Sequence, residues 1–396
     1  MIATPSILVL NGSHAEIPLI KAAQRLGFRV ITTGASPSGL GHAYADQHIP
    51  ADFADARSVE AIARRHEVVG VVSACNDFAA VTASRVGADL CLSGHDDPET
   101  TRIIHHKDQL RGLMSSLGLR SILSTRASRQ TRIEHVIDVL ELPVIVKPVD
   151  LTGGKGMRIC ESPESVVEAI SYALDQSRQS HVLVEQYLTG SHHGFTCFVQ
   201  SGRVVWWFAD DEQYFINPFL VAGTSAPSSL DADAIDELVT SVEAIAIALA
   251  IVDGLVHVQC ILTSDGPAIL EICRRCPGDL YPEFVQLSTG YDYSANIVRS
   301  EIGMPIELPS LEGHASPTAR HCAMSRANGV FRGVAIAPSL RSRVTDEWRL
   351  VEPGSRIDDF LTQKQRIVLM QFSSRKELDE HLTIRDSTIE VLVEEG

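Results

Sequence analysis

The chain has 396 residues and a formal net charge of −16 at pH 7. This acidic balance argues against a nucleic-acid partner, because phosphate backbones bind to basic protein surface. The length predicts two or three domains, and 44% hydrophobic with 21% charged residues is typical of a soluble globular protein. The most apolar run, at 244–252, is too short to cross a bilayer, so no membrane partner is expected. Eight cysteines without a secretory signal fit a cytoplasmic location.

Short apolar strands alternate with helical patterns in the first 118 residues. The segments are SILVLNG, IPLIKAAQRLG, FRVITTG, SVEAIARRH, VVGVVSA and FAAVTASRVG. Strands separated by helices in this way are typical of a parallel sheet with helices on both faces. We therefore predict an α/β, Rossmann-like domain at 1–118.

The middle of the chain predicts a domain of mixed α/β and α+β class at 119–315. Its first part, 119–190, has the strands PVIVKPV and HVLVEQYL around a glycine-rich loop. The rest has the segment FTCFVQSGRVVWWFA, a helix at about 231–250, and the strands LVHVQCIL and PAILEIC, which a TSDG turn joins into a hairpin. Residues 316–396 alternate short strands with one helix and predict a small C-terminal α+β domain.

The stretch VIVKPVDLTGGKGM at 144–157 is an apolar strand that ends on a lysine and leads into the glycine-rich loop. The loop is not a P-loop, because Lys155 is followed by Gly156 rather than by Ser or Thr. It is not a dinucleotide fingerprint either, since Ile159 stands where a third glycine is required. Taken alone, the loop could equally be an ordinary turn.

Lysine is scarce in this chain, which makes its positions informative. The lysines are Lys21, Lys107, Lys147, Lys155, Lys364 and Lys376. Further along, Glu185 ends a strand, and Glu271 and Arg275 lie on and just after the predicted hairpin. In this order the motifs resemble those of the ATP-grasp superfamily, in particular the L-amino acid (dipeptide) ligases and the biotin carboxylase-like enzymes. The resemblance covers nearly the whole chain and implies the ATP-grasp fold between a Rossmann-like domain and a small closing domain.

The resemblance implies a site for ATP. In the family two lysines hold the α and β phosphates, and by position these are Lys107 and Lys147. The glycine-rich loop folds over the β and γ phosphates with its backbone N–H groups toward the oxygens, and it comprises Gly153, Gly154, Lys155 and Gly156. Adenine recognition is implied for Glu185 together with the backbone of Gln186, Tyr187 and Leu188.

The ribose contact is less clearly defined by the resemblance. Many relatives have a carboxylate seven residues after that glutamate, where this chain has His192 followed by His193. Biotin carboxylase is similar in using a histidine near this point, so either residue could donate to the ribose hydroxyls. The alternative is an unrelated pair of surface histidines.

Two residues that face each other across the TSDG turn match the metal ligands of the family. Gln259 and Glu271 imply a site for Mg²⁺, with Mn²⁺ as an alternative, because such ions prefer oxygen ligands. Relatives have Asn where this chain has Cys273, and a thiol is poorly matched to Mg²⁺, which leaves the number of ions open. Cys273 and Cys276 also form a C-x-x-C motif. Zinc would need a second such pair, which is absent, and a redox role is a minor alternative.

Arg275 matches the family arginine that steadies the γ-phosphate and the acyl phosphate, a task suited to a planar fork that binds two oxygens. The chain continues CPGDLYPEFVQLSTGYDY, which resembles the Gly-Gly-Asp stretch of the amino-acid ligases and lacks the Gln-Val-Glu-His stretch of biotin carboxylase. Asp279 is thereby a candidate to receive the amine proton or to anchor an amino group. A helix cap is the alternative role for Asp279.

The leading hypothesis is an ATP-dependent carboxylate–amine ligase that forms an amide or peptide bond through an acyl phosphate and releases ADP and phosphate. The alternatives are a bicarbonate-activating carboxylase of the biotin carboxylase type and a nucleotide-binding protein that has lost ligase activity. Expected partners are small-molecule carboxylate and amine substrates. A homodimer is also considered, because members of the family are often dimers.

Overall fold

The computed structural model describes residues 4–151, 153–309 and 315–394. Up to residue 118, the described strands are β1 (Ser6–Val9), β2 (Arg29–Thr33), β3 (Gln47–Ile49) and β4 (Gly70–Val72). The α-helices of this part are α1 (Ile17–Arg25), α2 (Ala56–Arg65), α3 (Asp77–Leu90), α4 (Pro98–His105) and α5 (Lys107–Ser116). The strands form a parallel sheet in the order β3-β2-β1-β4.

Successive side chains of β1 point to opposite faces of this sheet, as strand geometry requires. Ile7 packs in one buried cluster with Leu19 of α1, whereas Leu8 packs in another with Val59 of α2. Ile7 and Leu8 are both fully shielded from solvent. Helices therefore cover both faces of the sheet, and the predicted Rossmann-like arrangement is confirmed.

Residues 119–190, for which the resemblance implies the role of a lid, form a small layer with its own core. Its elements are β5 (Ser124–Ala127), α6 (Ile133–Ile137), β6 (Val144–Pro148), β7 (Arg158–Cys160), α7 (Pro163–Gln176) and β8 (Val182–Gln186). The strands are antiparallel in the order β5-β8-β6-β7. Val146 of β6 and Val166 of α7 belong to one buried cluster. The glycine-rich loop connects β6 to β7 at the edge of this layer.

The predicted long helix and hairpin are confirmed in the middle of the chain. The elements are β9 (Ser191–Gln200), β10 (Arg203–Gln213), β11 (Gly223–Ala226), α8 (Ala232–Ala248), β12 (Gly254–Thr263), β13 (Gly266–Cys273), α9 (Tyr281–Thr289) and α10 (Tyr293–Glu301). Strands β12 and β13 are antiparallel, and Thr263 pairs with Gly266 across a two-residue turn. A turn this short fixes the register of the hairpin.

The described C-terminal segment is a mixture of strands and helices, with a short α-helix in addition to the one that was predicted. Its elements are β14 (Thr318–Met324), β15 (Gly329–Ile336), α11 (Pro338–Arg341), β16 (Val344–Arg349), β17 (Arg356–Ile357), β18 (Lys364–Gln371), α12 (Arg375–Ile384) and β19 (Ile389–Glu394). Strands β17, β15 and β19 form a separate sheet. None of the helices in the described ranges has both the length and the apolar character needed to cross a membrane.

A large antiparallel sheet joins the middle of the chain to the C-terminal segment. Its order is β13-β12-β9-β10-β11-β14-β18-β16. Ser225 of β11 pairs with Ala319 of β14, so the sheet continues across the proposed domain boundary at residue 315. The C-terminal segment is therefore in a position to contribute side chains to any site on this sheet.

Candidate active site

A cavity lies against the lid sheet, the β12–β13 hairpin and the loop at 214–221. Its wall contains residues of all three parts of the chain. Most of the residues predicted from the sequence line it, namely Lys107, Lys147, Gly153, Gly154, Gln186, Tyr187, Leu188, His192, Gln259, Glu271, Arg275 and Asp279. The lining does not include Lys155, Gly156, Glu185 or His193.

Glu185 has a different role from the one expected. Its side chain is fully buried and accepts from Arg111 Nε at 2.6 Å, while Lys147 Nζ lies 2.6 Å from its other oxygen. Burial alone would raise the pKa of Glu185, but the charges of Arg111 and Lys147 outweigh it and lower the pKa to about 2. A buried carboxylate needs such partners, and the expected contact of this side chain with adenine is corrected: Glu185 holds Lys147 at the cavity wall.

The two predicted phosphate lysines approach the cavity from different elements. Lys147 is the last residue but one of β6, and burial lowers the pKa of its ammonium group, an effect that Glu185 partly offsets. Lys107 begins α5, and its Nζ donates to the carbonyl oxygen of Leu151 at 3.0 Å and lies 3.9 Å from Glu271 Oε2. Both ammonium groups thus line the cavity and could meet phosphate oxygens there.

The glycine-rich loop has a backbone that only glycine adopts easily. Gly153, Gly154 and Gly156 have φ angles of +66°, +75° and +72°, which L side chains disfavour. A Cβ atom on Gly154 would lie 2.5 Å from Cβ of Phe219, so the loop passes directly over the segment that contains Phe219. Lys155 is exposed at the tip of the loop. The loop therefore borders the cavity through its glycines rather than through its lysine.

His192 and His193 are neighbours on β9 and point to opposite sides of the sheet. His192 lines the cavity, and its ring centre lies 4.7 Å from that of Tyr214. His193 is buried, and its ring nitrogens lie 2.9 Å from Asp211 Oδ1 and 2.7 Å from Ser191 Oγ. Both nitrogens of His193 are thus occupied outside the cavity wall. The expected ribose contact by His193 is wrong, and His192 remains the candidate.

Gln259 and Glu271 are direct partners in the β12–β13 ladder, and both line the cavity. The amide nitrogen of Gln259 donates to Glu212 Oε1 at 2.7 Å, which leaves the amide oxygen for a ligand. Burial raises the pKa of the Cys273 thiol to about 12, so this group stays protonated and does not suit Mg²⁺. These donors fit one hard cation whose remaining ligands come from phosphate or water.

Other possible metal or redox sites find little support. In the described ranges no group of three or more His, Cys, Asp and Glu side chains is placed to hold a metal ion by itself. Cys273 and Cys276 are both buried and have free thiols. A buried free thiol generally packs as a small apolar group.

Arg275 is held by an aspartate of the N-terminal domain. Its Nε and Nη2 atoms donate to the two carboxylate oxygens of Asp77 at 3.1 and 2.9 Å. Asp77 also lies 3.1 Å from Nδ1 of His105, at the end of α4. On the other edge of the guanidinium, Nη1 donates to the carbonyl oxygen of Cys276 at 3.3 Å. Because Arg275 lines the cavity, that edge is available to a phosphoryl group.

The Asp279 carboxylate contacts side chains from the N-terminal and C-terminal parts of the chain. Lys364 Nζ donates to one carboxylate oxygen, and His14 Nε2 lies 3.5 Å from the other. Burial alone would raise the pKa of Asp279, but Lys364, His14 and Arg320 hold it well below its usual range. The expected roles of Asp279, to receive the amine proton or to anchor an amino group, stay predictions. The alternative role as a helix cap is wrong, because no side chain caps α9.

Several residues of the cavity wall were not predicted from the sequence. They are Glu212, Tyr214, His257, Tyr281 and Arg320. For Glu212 the sequence contained a usable signal, which is the acidic run at 210–212. Alternate residues of a strand lie on the same face, so Asp210 and Glu212 form an acidic pair there. No sequence signal marks Arg320, whose position depends on the pairing of β11 with β14.

The comparisons with known sequences concern mainly the region that contains the glycine-rich loop. Residues 106–199 match the family described as carbamoyl-phosphate synthase L chain, ATP binding domain. The chain is 24% identical to the uncharacterized protein y4rH of Sinorhizobium fredii, over 89% of this chain and 74% of that protein. It is 28% identical to the formate-dependent phosphoribosylglycinamide formyltransferase of Synechococcus sp. (strain RCC307), over 46% of this chain and 48% of that protein. The chain thus spans about half the length of the formyltransferase relatives it matches.

Solved structures match over nearly the full length. The L-amino acid ligase from Bacillus licheniformis has a TM-score of 0.84 at 17% identity, covering 100% of both chains. The biotin carboxylase domain dimer of Hydrogenobacter thermophilus 2-oxoglutarate carboxylase, in complex with MgADP, ADP and bicarbonate, has a TM-score of 0.78 at 14% identity, covering 99% of this chain and 92% of that one. The chain therefore has the ATP-grasp fold, and its residues 106–199 are similar to an ATP-binding domain of that fold.

Proposed function

We propose that this chain is an ATP-dependent carboxylate–amine ligase, which forms an amide or peptide bond through an acyl phosphate. The observation that carries the proposal is the convergence of Lys107, Lys147, Arg275 and the Gln259–Glu271 pair in one cavity. Phosphoryl transfer depends mainly on positioning and on neutralising charge. These side chains are suited to both tasks.

The lid side of the cavity suits the nucleotide. Ile145 and Ile159 of the lid and Leu270 of the hairpin line the cavity together with Gln186–Leu188. Apolar walls with a few polar backbone groups are the usual surroundings of a planar ring. In the proposed complex the base lies here, His192 donates to the ribose, and the phosphates extend toward Lys147 and Lys107.

A magnesium ion, or manganese in its place, would be held by Glu271 and the amide oxygen of Gln259, together with phosphate oxygens. When bound, the ion would neutralise charge on the γ-phosphate. The cavity-facing edge of Arg275 would bind two phosphoryl oxygens. Lys107 Nζ lies 3.9 Å from Glu271, which supports a common location for phosphate and metal.

The proposed reaction has two displacements. A carboxylate oxygen of the acid substrate attacks the γ-phosphorus, and the bond from that phosphorus to the β–γ bridging oxygen breaks to release ADP. The amine nitrogen then attacks the acyl carbon, and the carbon–oxygen bond to phosphate breaks. The nitrogen loses its proton to water and phosphate leaves, so the products are an amide, ADP, phosphate and a proton.

The proposal is tested by ADP release from purified protein with ATP and Mg²⁺, across amino acids, other carboxylates and bicarbonate, each with and without added amine. Release that requires a carboxylate, with an amide product identified by mass, supports the ligase. Release that requires bicarbonate instead supports a carboxylase, and ATP binding without release supports a protein that has lost ligase activity. Lys147→Ala should abolish release, and Lys155→Ala, at the exposed loop tip, is the matched control that should lose far less.

We also propose a cytoplasmic location and a homodimer. The location is supported by the eight cysteines, which are all free. The dimer is supported by analogy with the biotin carboxylase domain dimer to which the chain is similar. The molar mass of the purified protein in solution tests the second proposal.

A further inference from the structure

Arg320 on β14 is a buried cation in the cavity wall and is only 4% exposed. Other buried arginines have a carboxylate partner: Arg111 pairs with Glu185, and Arg366 pairs with Glu347. Within the described ranges, no carboxylate forms an ion pair with Arg320. Burial of an unpaired charge is costly, because the lost hydration is not replaced by an opposite charge.

The groups that hold Arg320 are all uncharged. Its Nε donates to Thr224 Oγ1 at 3.2 Å, and its Nη1 donates to the carbonyl oxygens of Gly278 and Asp279 at 3.0 and 2.9 Å. The guanidinium carbon lies 5.7 Å from the ring centre of Tyr281. These contacts fix the orientation of the guanidinium without neutralising it. In the part of the chain that the structure describes, Nη2 donates to no acceptor.

Nearby carboxylates contact groups other than Arg320, and the buried Asp210 accepts from the hydroxyl of Tyr281. The Asp279 carboxylate holds Lys364. Glu212 accepts from the amide of Gln259 at 2.7 Å and from the hydroxyl of Tyr214 at 2.8 Å. Arg320 is therefore a preorganised cation without a counter-charge in direct contact, and such a group suits an anionic ligand.

The same cavity has an apolar wall on the loop that precedes β11. Residues 218–221 are Pro-Phe-Leu-Val, and all four line the cavity. Apolar surface of this kind is best covered by carbon rather than by water. Bicarbonate, which has no carbon chain, would leave this wall uncovered.

We propose that Arg320 Nη2 binds the carboxylate of the acid substrate, and that this substrate is an organic acid whose carbon chain packs against residues 218–221. The inference rests on the proposed ligase function and names the substrate class of that site. Lys107, Lys147 and Arg275 serve the phosphates in that function, which leaves Arg320 as the cation for the acid. Inorganic phosphate is also an anion that an arginine can bind, so the experiment below measures its binding separately from that of the acid.

The experiment compares Arg320→Gln, Arg320→Lys and Arg366→Gln. Arg366 is also buried, and it lies on β18, which pairs with β14, but it does not line the cavity. Binding of amino acids, longer aliphatic acids, bicarbonate and inorganic phosphate is measured by calorimetry in the presence of a non-hydrolysable ATP analogue. Where ADP release is found, the KM for the acid is measured as well. Arg320→Lys keeps the charge and provides a folded variant if the glutamine variant does not fold.

We expect Arg320→Gln to raise the Kd and KM for the acid at least tenfold, Arg320→Lys to have a smaller effect, and Arg366→Gln to change neither. The Kd of the ATP analogue should stay within about twofold in all three variants. The inference is overturned if Arg320→Gln leaves the acid Kd unchanged or loses only the binding of phosphate. It is also overturned if the wild type binds no acid, or if bicarbonate is the one anion that it binds tightly. Acid binding that depends on Arg320 without any ADP release would instead refute the ligase function and leave the acid site in place.

Discussion

Replacement of Glu185 by Gln tests the electrostatic basis of the phosphate site. The fully buried carboxylate holds both Arg111 and Lys147. The fall of its pKa from 4.5 to about 2 corresponds to ~3 kcal/mol, at about 1.4 kcal/mol per pKa unit. Removal of one partner from a buried ion pair typically costs about 3–5 kcal/mol. We therefore expect Glu185→Gln to lower the free energy of unfolding by ~3 kcal/mol at pH 7.

The pH dependence gives this prediction a definite sign. Because the pKa of Glu185 is lower in the folded protein, its contribution is fully present above pH 4.5 and is lost as the pH falls toward 2. The gap between wild type and Glu185→Gln should thus be widest near neutral pH and shrink in acid. Urea denaturation of both proteins at pH 7, 4.5 and 3 measures it.

A matched control is Glu141→Gln, which changes an exposed glutamate of the same lid. We expect it to alter the unfolding free energy by less than about 0.5 kcal/mol. The reasoning is refuted if Glu185→Gln unfolds at the same urea concentration as wild type. If the variant keeps its stability but loses ATP affinity more than tenfold, Glu185 contacts the base and the correction made above is wrong.

Three further substitutions test the rest of the site. Glu271→Gln should abolish ADP release without changing the unfolding midpoint, since an amide keeps the packing but loses the charge that binds metal. Near-normal turnover in the folded variant would contradict the proposed metal site. Cys273→Asn should leave Mg²⁺-dependent turnover unchanged or raise it, whereas a loss of tenfold or more would mean that the thiol takes part. Asp77→Asn should lower kcat at least tenfold, because it releases Arg275. The control is Asp96→Asn, which releases Arg274, a residue that does not line this cavity, and should lower only the unfolding midpoint. Equal effects of the two substitutions on kcat would contradict a specific role for Asp77.

Local patterns in the sequence predicted the elements and the hairpin well. The two-residue turn at Ser264 and Asp265 sets the pairing from Thr263 to Cys260, and a bulge between Gln259 and Cys260, which the sequence pattern does not predict, then places Gln259 opposite Glu271. The strand β3 was missed because its residues, QHI, show no apolar alternation. Chain-order patterns also could not reveal that three C-terminal strands extend the central sheet.

Long-range electrostatics explain the errors at the site. Asp77 and Arg275 are 198 positions apart, and no local spacing links them. The burial of Glu185 depends on Arg111, which lies on a helix outside the lid. The histidine pair is different, because strand alternation alone implies that only one of His192 and His193 can face the cavity.

The pairing of successive arginines with the N-terminal domain limits how this chain can be divided or recombined. Arg274 and Arg275 are held by Asp96 and Asp77, and Lys107 also precedes residue 119. A fragment that starts at residue 119 would carry two guanidinium groups without counter-charges and would lack one phosphate lysine. An exchange of N-terminal domains between relatives should therefore preserve activity only where the incoming domain supplies both carboxylates and the lysine.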